Sequence, residues 1–173
     1  MIGYLPGEPG LYPEMTGIDL LDLFGRLSGT EVRQSYRSEL LERFRLGNAD
    51  LSRRVRDYST GMKRRLVIGK MLLFDPDLLF LDEPHNTLDQ AAIALLNGYV
   101  ASVKARGGSA IVATHNLSRA YDMADRFVLM REGAVARRVE KRDLSMEQLR
   151  TLYTRHAENG EEEPRAESGE PSA

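Results

Sequence analysis

The stretch LLFLDEPHNTLD, residues 78–89, decides the fold class of this chain. Its first part, Leu78–Asp82, has no polar alternation, which is typical of a strand buried on both faces of a parallel sheet. The strand leads directly into two adjacent carboxylates, Asp82 and Glu83. An Asp at a strand end can hold Mg²⁺ through water, and a neighbouring Glu can orient or deprotonate an attacking water. Because Asp-Glu-Pro can also simply end a strand, the stretch indicates phosphate chemistry only together with a site that binds phosphate.

Helix and strand patterns alternate along the chain, which predicts an α/β fold with a mostly parallel sheet and a small helical subdomain. Strands are predicted at Met1–Leu5, Leu78–Asp82 and Ser109–Thr114, and a hairpin at Phe127–Met130 and Ala134–Val139. Helices are predicted at Ile18–Leu27, at Val32–Phe44, and over 60–74, 88–106, 117–124 and 145–156. Ser59 is a candidate N-cap, and Ser145 with Gln148 forms a candidate capping box.

The composition limits the possible partners. The chain has 24 basic and 26 acidic residues and a net charge of -2, so no global field favours nucleic acid or an anionic membrane. There is no cysteine, which excludes disulfides and thiolate metal sites within this sequence. No apolar run approaches the ~20 residues that span a bilayer. We therefore expect a soluble intracellular domain whose membrane role, if any, comes through a partner.

Three predicted strands end in polar or turn residues. These ends are Pro6-Gly7-Glu8, Asp82-Glu83 and His115. In open α/β sheets ligands bind outside the carboxyl ends of the strands, so the three ends are expected to share one crevice. A histidine there could hydrogen-bond a terminal phosphate, although a single His near a helix start is more often structural.

The order and spacing of four segments resemble the ATP-binding cassette (ABC) ATPase family. The segments are YSTGMK (58–63), LLFLDEP (78–84), NTLD (86–89) and His115. The resemblance extends from the N-terminus to about residue 155, and the opening IGYLPGEPGLYPEMTG with YSTGMKRR is most similar to ATPase subunits of ABC-2-type exporters. It implies a P-loop NTPase fold with a strand and Q-loop over 1–13, a helical subdomain over 14–57, and a signature helix with catalytic core over 58–157. A disordered acidic tail is expected over 158–173.

The resemblance implies roles for residues on the hydrolytic side. Asp82 would close the Walker B strand and support Mg²⁺, and Glu83 would be the general base or water-orienting residue. His115 resembles the switch histidine that contacts the γ-phosphate of ATP.

A second group corresponds to the family's LSGGQ signature and D-loop. Ser59 and Gly61 match the signature, whereas Tyr58, Thr60 and Met62 depart from it. A hydroxyl residue and a glycine at a helix N-terminus offer backbone N–H groups to a phosphate, which in the family belongs to ATP on the other subunit. Asp89 occupies the D-loop position, which communicates across the dimer interface. The resemblance thus assigns Ser59, Thr60, Gly61, Met62 and Asp89 to nucleotide and interface contacts.

Two departures from the family pattern stand out. The Q-loop glutamine would fall at Gly7, and Glu8 is the candidate substitute one position along. The phosphate-binding Walker A sequence G-x-x-x-x-G-K-[ST] is absent, because the only Gly-Lys pair, Gly69-Lys70, is mid-helix and followed by Met71. The chain therefore resembles an N-terminally truncated cassette, with a partial P-loop NTPase fold that lacks the Walker A strand, loop and helix. Without these elements, apolar sheet and helix surface should be exposed.

A basic stretch around the signature allows three interpretations. A solvated face around a helix start is favoured, contacts to ATP of the other subunit or to a membrane subunit come second, and nucleic-acid binding comes last because stacking aromatics are not interleaved. The residues are Arg53, Arg54, Arg56, Lys63, Arg64 and Arg65.

The resemblance implies an ATP-binding and ATP-hydrolysing subunit, or fragment of one, that drives export through a separate ABC-2-type permease. ATP and Mg²⁺ would be its cofactors, a second ATPase subunit its dimer partner, and its location cytoplasmic, peripheral to the membrane through the permease. Alone, the chain is expected to be inactive. Two alternatives remain: a catalytically silent partner that lends its signature to another ATPase, and a soluble ABC ATPase without a transport role.

Overall fold

A computed structural model describes residues 1–29, 42 and 44–158. The predicted second helix at Val32–Phe44 falls mostly outside these residues, as do residues 159–173 of the predicted acidic tail. The chain forms two compact units, Met1–Met123 and Ala124–Ala173. Among the described residues, no helix has the length and apolar character needed to cross a membrane.

The first unit is built on a three-stranded parallel sheet. Its strands are β1 (Ile2–Leu5), β2 (Leu78–Asp82) and β3 (Ser109–Ala113), in the order β1-β2-β3. Leu5 lies opposite Leu81, and Asp82 lies opposite Ala113. The predicted parallel sheet is confirmed, and β2 has the predicted bounds.

Several helices of this unit begin at a residue whose side chain caps them. They are α1 (Gly17–Ser28), α2 (Asn48–Leu51), α3 (Thr60–Leu72), α4 (Gln90–Ala105) and α5 (Leu117–Met123), with a 3₁₀ turn at Val55–Asp57. Thr16 and Asp19 form a capping box at the start of α1, and Gly29 ends it in the left-handed conformation at φ 64°. Ser59 caps α3 as predicted, accepting a hydrogen bond from the Met62 N–H at 3.2 Å.

The core lies on one face of the sheet. Leu5, Leu79 and Leu81 are almost fully buried and pack with α3, which is buried on most of its circumference. The apolar side of α4 completes this layer with Leu96, Val100 and Val103.

The opposite face of the sheet is exposed. Its apolar side chains are 66% (Ile2), 59% (Tyr4), 36% (Phe80) and 58% (Ile111) exposed. The prediction that β2 is buried on both faces is therefore wrong for the described residues. Apolar runs signal two-sided burial only where a second layer covers the sheet, and no described residues bury this face. The separate expectation of exposed apolar sheet surface is confirmed.

The second unit is an antiparallel hairpin followed by a helix. Strands β4 (Arg126–Arg131) and β5 (Ala134–Glu140) are joined by Glu132 and Gly133, both at positive φ, as a two-residue hairpin turn requires. A 3₁₀ turn at Lys141–Asp143 leads to α6 (Met146–Glu158). The predicted capping box is present, since the Ser145 N–H donates to Gln148 Oε1 at 2.6 Å and the Gln148 N–H donates to Ser145 Oγ at 3.2 Å.

Candidate functional site

The carboxyl ends of β1, β2 and β3 lie side by side because the strands are parallel neighbours. The Glu83 N–H donates to the Ala113 carbonyl at 2.8 Å, which extends the β2–β3 pairing one residue beyond β2. The structure thus brings Gly7, Asp82, Glu83 and His115 to one edge of the sheet, as the sequence predicted.

The Glu83 carboxylate is held on both oxygens. Oε1 accepts hydrogen bonds from the His115 backbone N–H at 2.8 Å and contacts His115 Nδ1 at 2.6 Å, and Oε2 accepts from the Thr114 hydroxyl at 2.9 Å. Burial raises the pKa of Glu83, but these hydrogen bonds and the charge of His115 outweigh burial and hold the pKa below its ordinary value. The carboxylate is therefore ionised and oriented toward β3.

Asp82 lies beside the loop that follows β1. A Cβ added to Gly7 would lie 2.8 Å from Asp82 Oδ2, so the glycine permits a close approach that a larger residue would disturb. The Asp82 residue is exposed at the edge of the sheet. Within the described residues no group of three or more His, Asp or Glu side chains could hold a metal. A single carboxylate fits Mg²⁺, which proteins commonly hold through one or two carboxylates together with substrate phosphates and water.

The residues predicted to form the signature and D-loop form a second cluster. Gly61 lies close to the turn before α4, since a Cβ at Gly61 would be 3.3 Å from the Thr87 carbonyl oxygen. Asp89 is the N-cap of α4 and accepts from the Ala92 N–H at 2.8 Å and from Arg65 Nη2 at 2.6 Å. The hydrogen bond from the Ala92 N–H lowers the pKa of Asp89 below its ordinary value; burial opposes this shift, and the charges of Arg65 and Arg45 add to it.

Three contributors to these clusters were not identified from the sequence. Thr114 carried no motif signal, and Arg64 and Arg65 were grouped with a solvated basic face. That interpretation is wrong for Arg64, which is 1% exposed, and Arg65 is paired with Asp89. Arg64 lies on the same helix face as the buried Val67, Ile68 and Met71, three to seven residues further along α3. This spacing could have indicated from the sequence that Arg64 is buried.

Comparison with known proteins identifies the family. A family model described as ABC transporter matches residues 1–86. A solved structure of the ATP-binding subunit of an ABC transporter is 30% identical, with a TM-score of 0.76, and the match covers 88% of this chain and 68% of that one.

The chain belongs to the ABC transporter ATP-binding protein family. Its first unit has part of the P-loop NTPase fold of these ATPases. The uncharacterized ABC transporter ATP-binding protein YxlF of Bacillus subtilis is 34% identical over 156 residues, covering 89% of this chain and 52% of YxlF. The Nod factor export ATP-binding protein I of Burkholderia lata is 36% identical over 135 residues, covering 76% of this chain and 44% of that protein. The chain spans about half the length of the curated relatives it matches.

Proposed function

We propose that this chain supplies the hydrolytic half of one ATP site and the signature half of another in an ABC transporter ATPase dimer that drives export through a separate membrane permease. The proposal rests mainly on the Glu83 carboxylate, which is ionised, bonded to Thr114 and His115, and adjacent to Asp82 at the ligand-binding edge of the sheet. The name of the Nod factor export relative supports the export direction.

The proposed roles on the hydrolytic side follow from this geometry. Asp82 would hold Mg²⁺ through water, and bound Mg²⁺ would neutralise charge on the phosphates. Glu83 would orient or deprotonate the attacking water after releasing part of its contact with His115. His115 is exposed enough to reach a terminal phosphate, with 74% of its side chain accessible. Gly7 and Glu8 would form the loop that faces the metal, with the Glu8 carboxylate in place of the glutamine expected there.

The signature half would act on ATP held by the dimer partner. Ser59 caps α3 through the Met62 N–H, and the first turn presents the backbone N–H groups of Thr60 and Gly61 and the positive end of the helix dipole, with Met62 completing the signature. Asp89 would communicate between the two sites, because Arg65 of the signature helix holds its carboxylate.

The signature role can be tested without a complete site in this chain. The chain is co-expressed with a complete ABC-2-type ATPase in which the signature serine has been replaced. The only intact signature in the resulting complex is then that of this chain. We expect wild-type chain to restore Mg²⁺-dependent ATP turnover to this partner.

Ser59→Asp is the matched variant for that test. Asp is as good an N-cap as Ser, so α3 should keep its stability, while the new carboxylate would repel the phosphate. Ser59→Asp should therefore co-purify with the partner but restore no turnover. Equal turnover with Ser59→Asp, or none with wild-type chain in a purified complex, would refute the signature role.

A further inference from the structure

Arg64 joins the two loops at the ligand-binding edge of the sheet. Its Nη1 donates to the carbonyl oxygens of Pro6 and Gly7, the latter at 3.1 Å. Its Nη2 donates to the carbonyl oxygens of Asp82 at 2.8 Å and Glu83 at 2.6 Å. One side chain from α3 thus holds four carbonyls, two after β1 and two at the end of β2.

Arg64 is almost fully buried, with 1% of the residue exposed, which is unusual for a charged guanidinium. Burial lowers the pKa of Arg64, while the nearby Asp82 and Glu83 carboxylates raise it, and an arginine remains charged in any case. Its Nε atom is buried with no hydrogen-bond partner in the described part of the chain. Burying a charge and leaving one of its donors unpaired costs free energy. We therefore expect the four Nη hydrogen bonds to serve a purpose that offsets this cost.

Two of these hydrogen bonds hold the backbone at the end of β2, where Glu83 has a strained conformation. Glu83 has a φ of 42°, in the left-handed region that residues with a side chain rarely adopt. Its carbonyl oxygen accepts from Arg64 at 2.6 Å and from the Asn86 N–H at 3.2 Å, and its N–H donates to the Ala113 carbonyl, so both polar groups of its backbone are fixed. This conformation directs the Glu83 carboxylate to Thr114 and His115.

We propose that Arg64 is a positioning residue that fixes Asp82 and Glu83 relative to the Gly7–Glu8 loop and makes the two loops move as one. All four hydrogen bonds of Arg64 described above go to backbone carbonyls, so it acts through other residues and is not itself catalytic. Any effect of Arg64 on ATP turnover rests on the proposed function. The contacts of Arg64 can be tested on the isolated chain without it.

Lysine cannot replace this arginine. The planar guanidinium presents paired donors in a fixed geometry, whereas a lysine ammonium is a single point of charge that cannot reach carbonyls of both loops with the same directions. Arg64→Lys keeps the charge and removes the link, which makes it the informative variant.

The test compares amide hydrogen exchange of the isotope-labelled full chain in wild type, Arg64→Lys and Leu20→Ala. Leu20 is fully buried in α1, outside the two loops in sequence, and its truncation to Ala should destabilise the same unit. In Arg64→Lys we expect exchange at the Glu83 and His115 amides to accelerate by about tenfold or more relative to core amides of α4. Leu20→Ala should accelerate both sets alike. If the two variants give the same pattern, Arg64 is an ordinary core residue and the proposal is overturned.

A measurement on the wild-type chain covers the case in which Arg64 variants do not fold. With ¹⁵N-labelled arginine, Arg64 should show separate, slowly exchanging Nη1 and Nη2 resonances, because the carbonyls prevent rotation about the Nε–Cζ and Cζ–Nη bonds. Averaged, rapidly exchanging Nη resonances would overturn the proposal. Neither experiment depends on ATP, so failure of the proposed transport function would leave this result intact.

Discussion

At the scale of single residues, Glu83 combines backbone strain with full engagement of its carboxylate. A left-handed φ in a residue with a side chain costs about 1 kcal/mol or more, and such strain is concentrated at functional sites. Contacts with five residues offset it: Arg64 and the Asn86 N–H on the carbonyl, Ala113 on the N–H, and Thr114 and His115 on the carboxylate. The residue is therefore held in place before any ligand binds.

Glu83→Gln should change how stability depends on pH. Because the pKa of Glu83 is lower in the folded chain than its ordinary 4.5, the ionised carboxylate stabilises the fold above that pH, and this contribution is lost as the pH falls through the folded pKa. The difference in unfolding free energy between wild type and Glu83→Gln should be largest above pH 4.5 and shrink below it. Urea titrations at a series of pH values measure this difference. A difference that stays constant with pH would show that the carboxylate charge is not stabilised.

The sequence predicted part of this residue-scale arrangement. Asp82, Glu83 and His115 could be placed together because strand ends of a parallel sheet meet at one edge. The four hydrogen-bond acceptors of Arg64 could not be predicted in the same way, because they are backbone carbonyls and no side chain in the sequence marks them. Only the packing of α3 against the sheet decides which carbonyls it reaches.

At the scale of elements, most helices and strands begin and end where local chemistry predicts. Ser59, Ser145 with Gln148, and the turn at Glu132-Gly133 are signals that act within a few residues, and each is confirmed. The burial of the sheet faces was not predictable from β2 and β3 alone, because burial depends on which layers cover the sheet.

Two glycines at α4 should respond oppositely to substitution by alanine. Gly108, just after the helix, has no room, since a Cβ there would lie 2.4 Å from the Asp77 carbonyl oxygen and 2.6 Å from Val103 Cγ1. Gly108→Ala should lower the free energy of unfolding by about 1–3 kcal/mol. Gly98 lies within α4 with nothing within 4 Å of its Cβ position, so Gly98→Ala should raise the free energy of unfolding by about 0.5–1 kcal/mol. Urea unfolding tests the pair, and destabilisation by both variants would show that α4 packs differently.

At the scale of the whole molecule, the described residues leave one sheet face without a covering layer. Parallel sheets are almost always covered on both faces, so exposed Tyr4, Phe80 and Ile111 form an association-prone surface. The matched residues make up about half the length of the curated relatives.

Ile111→Thr should reduce self-association of the chain. Threonine suits a strand, so β3 should keep its structure while the apolar face becomes smaller. Leu27→Thr is the control, because Leu27 is 72% exposed on α1 and not on the sheet. Sedimentation velocity over a range of concentrations should show association in wild type and Leu27→Thr, and less in Ile111→Thr. A wild-type chain that stays monomeric throughout would contradict this expectation.

The most direct test of the central claim is Mg²⁺-dependent ATP turnover by this chain combined with a polypeptide that carries the family's G-x-x-x-x-G-K-[ST] strand, loop and helix. The chain alone should turn over ATP only at background, because that phosphate-binding sequence is absent from its residues. The combined sample should turn over ATP, and with Glu83→Gln it should still bind ATP but no longer hydrolyse it. Turnover by Glu83→Gln equal to wild type, or robust turnover by the chain alone, would contradict the account.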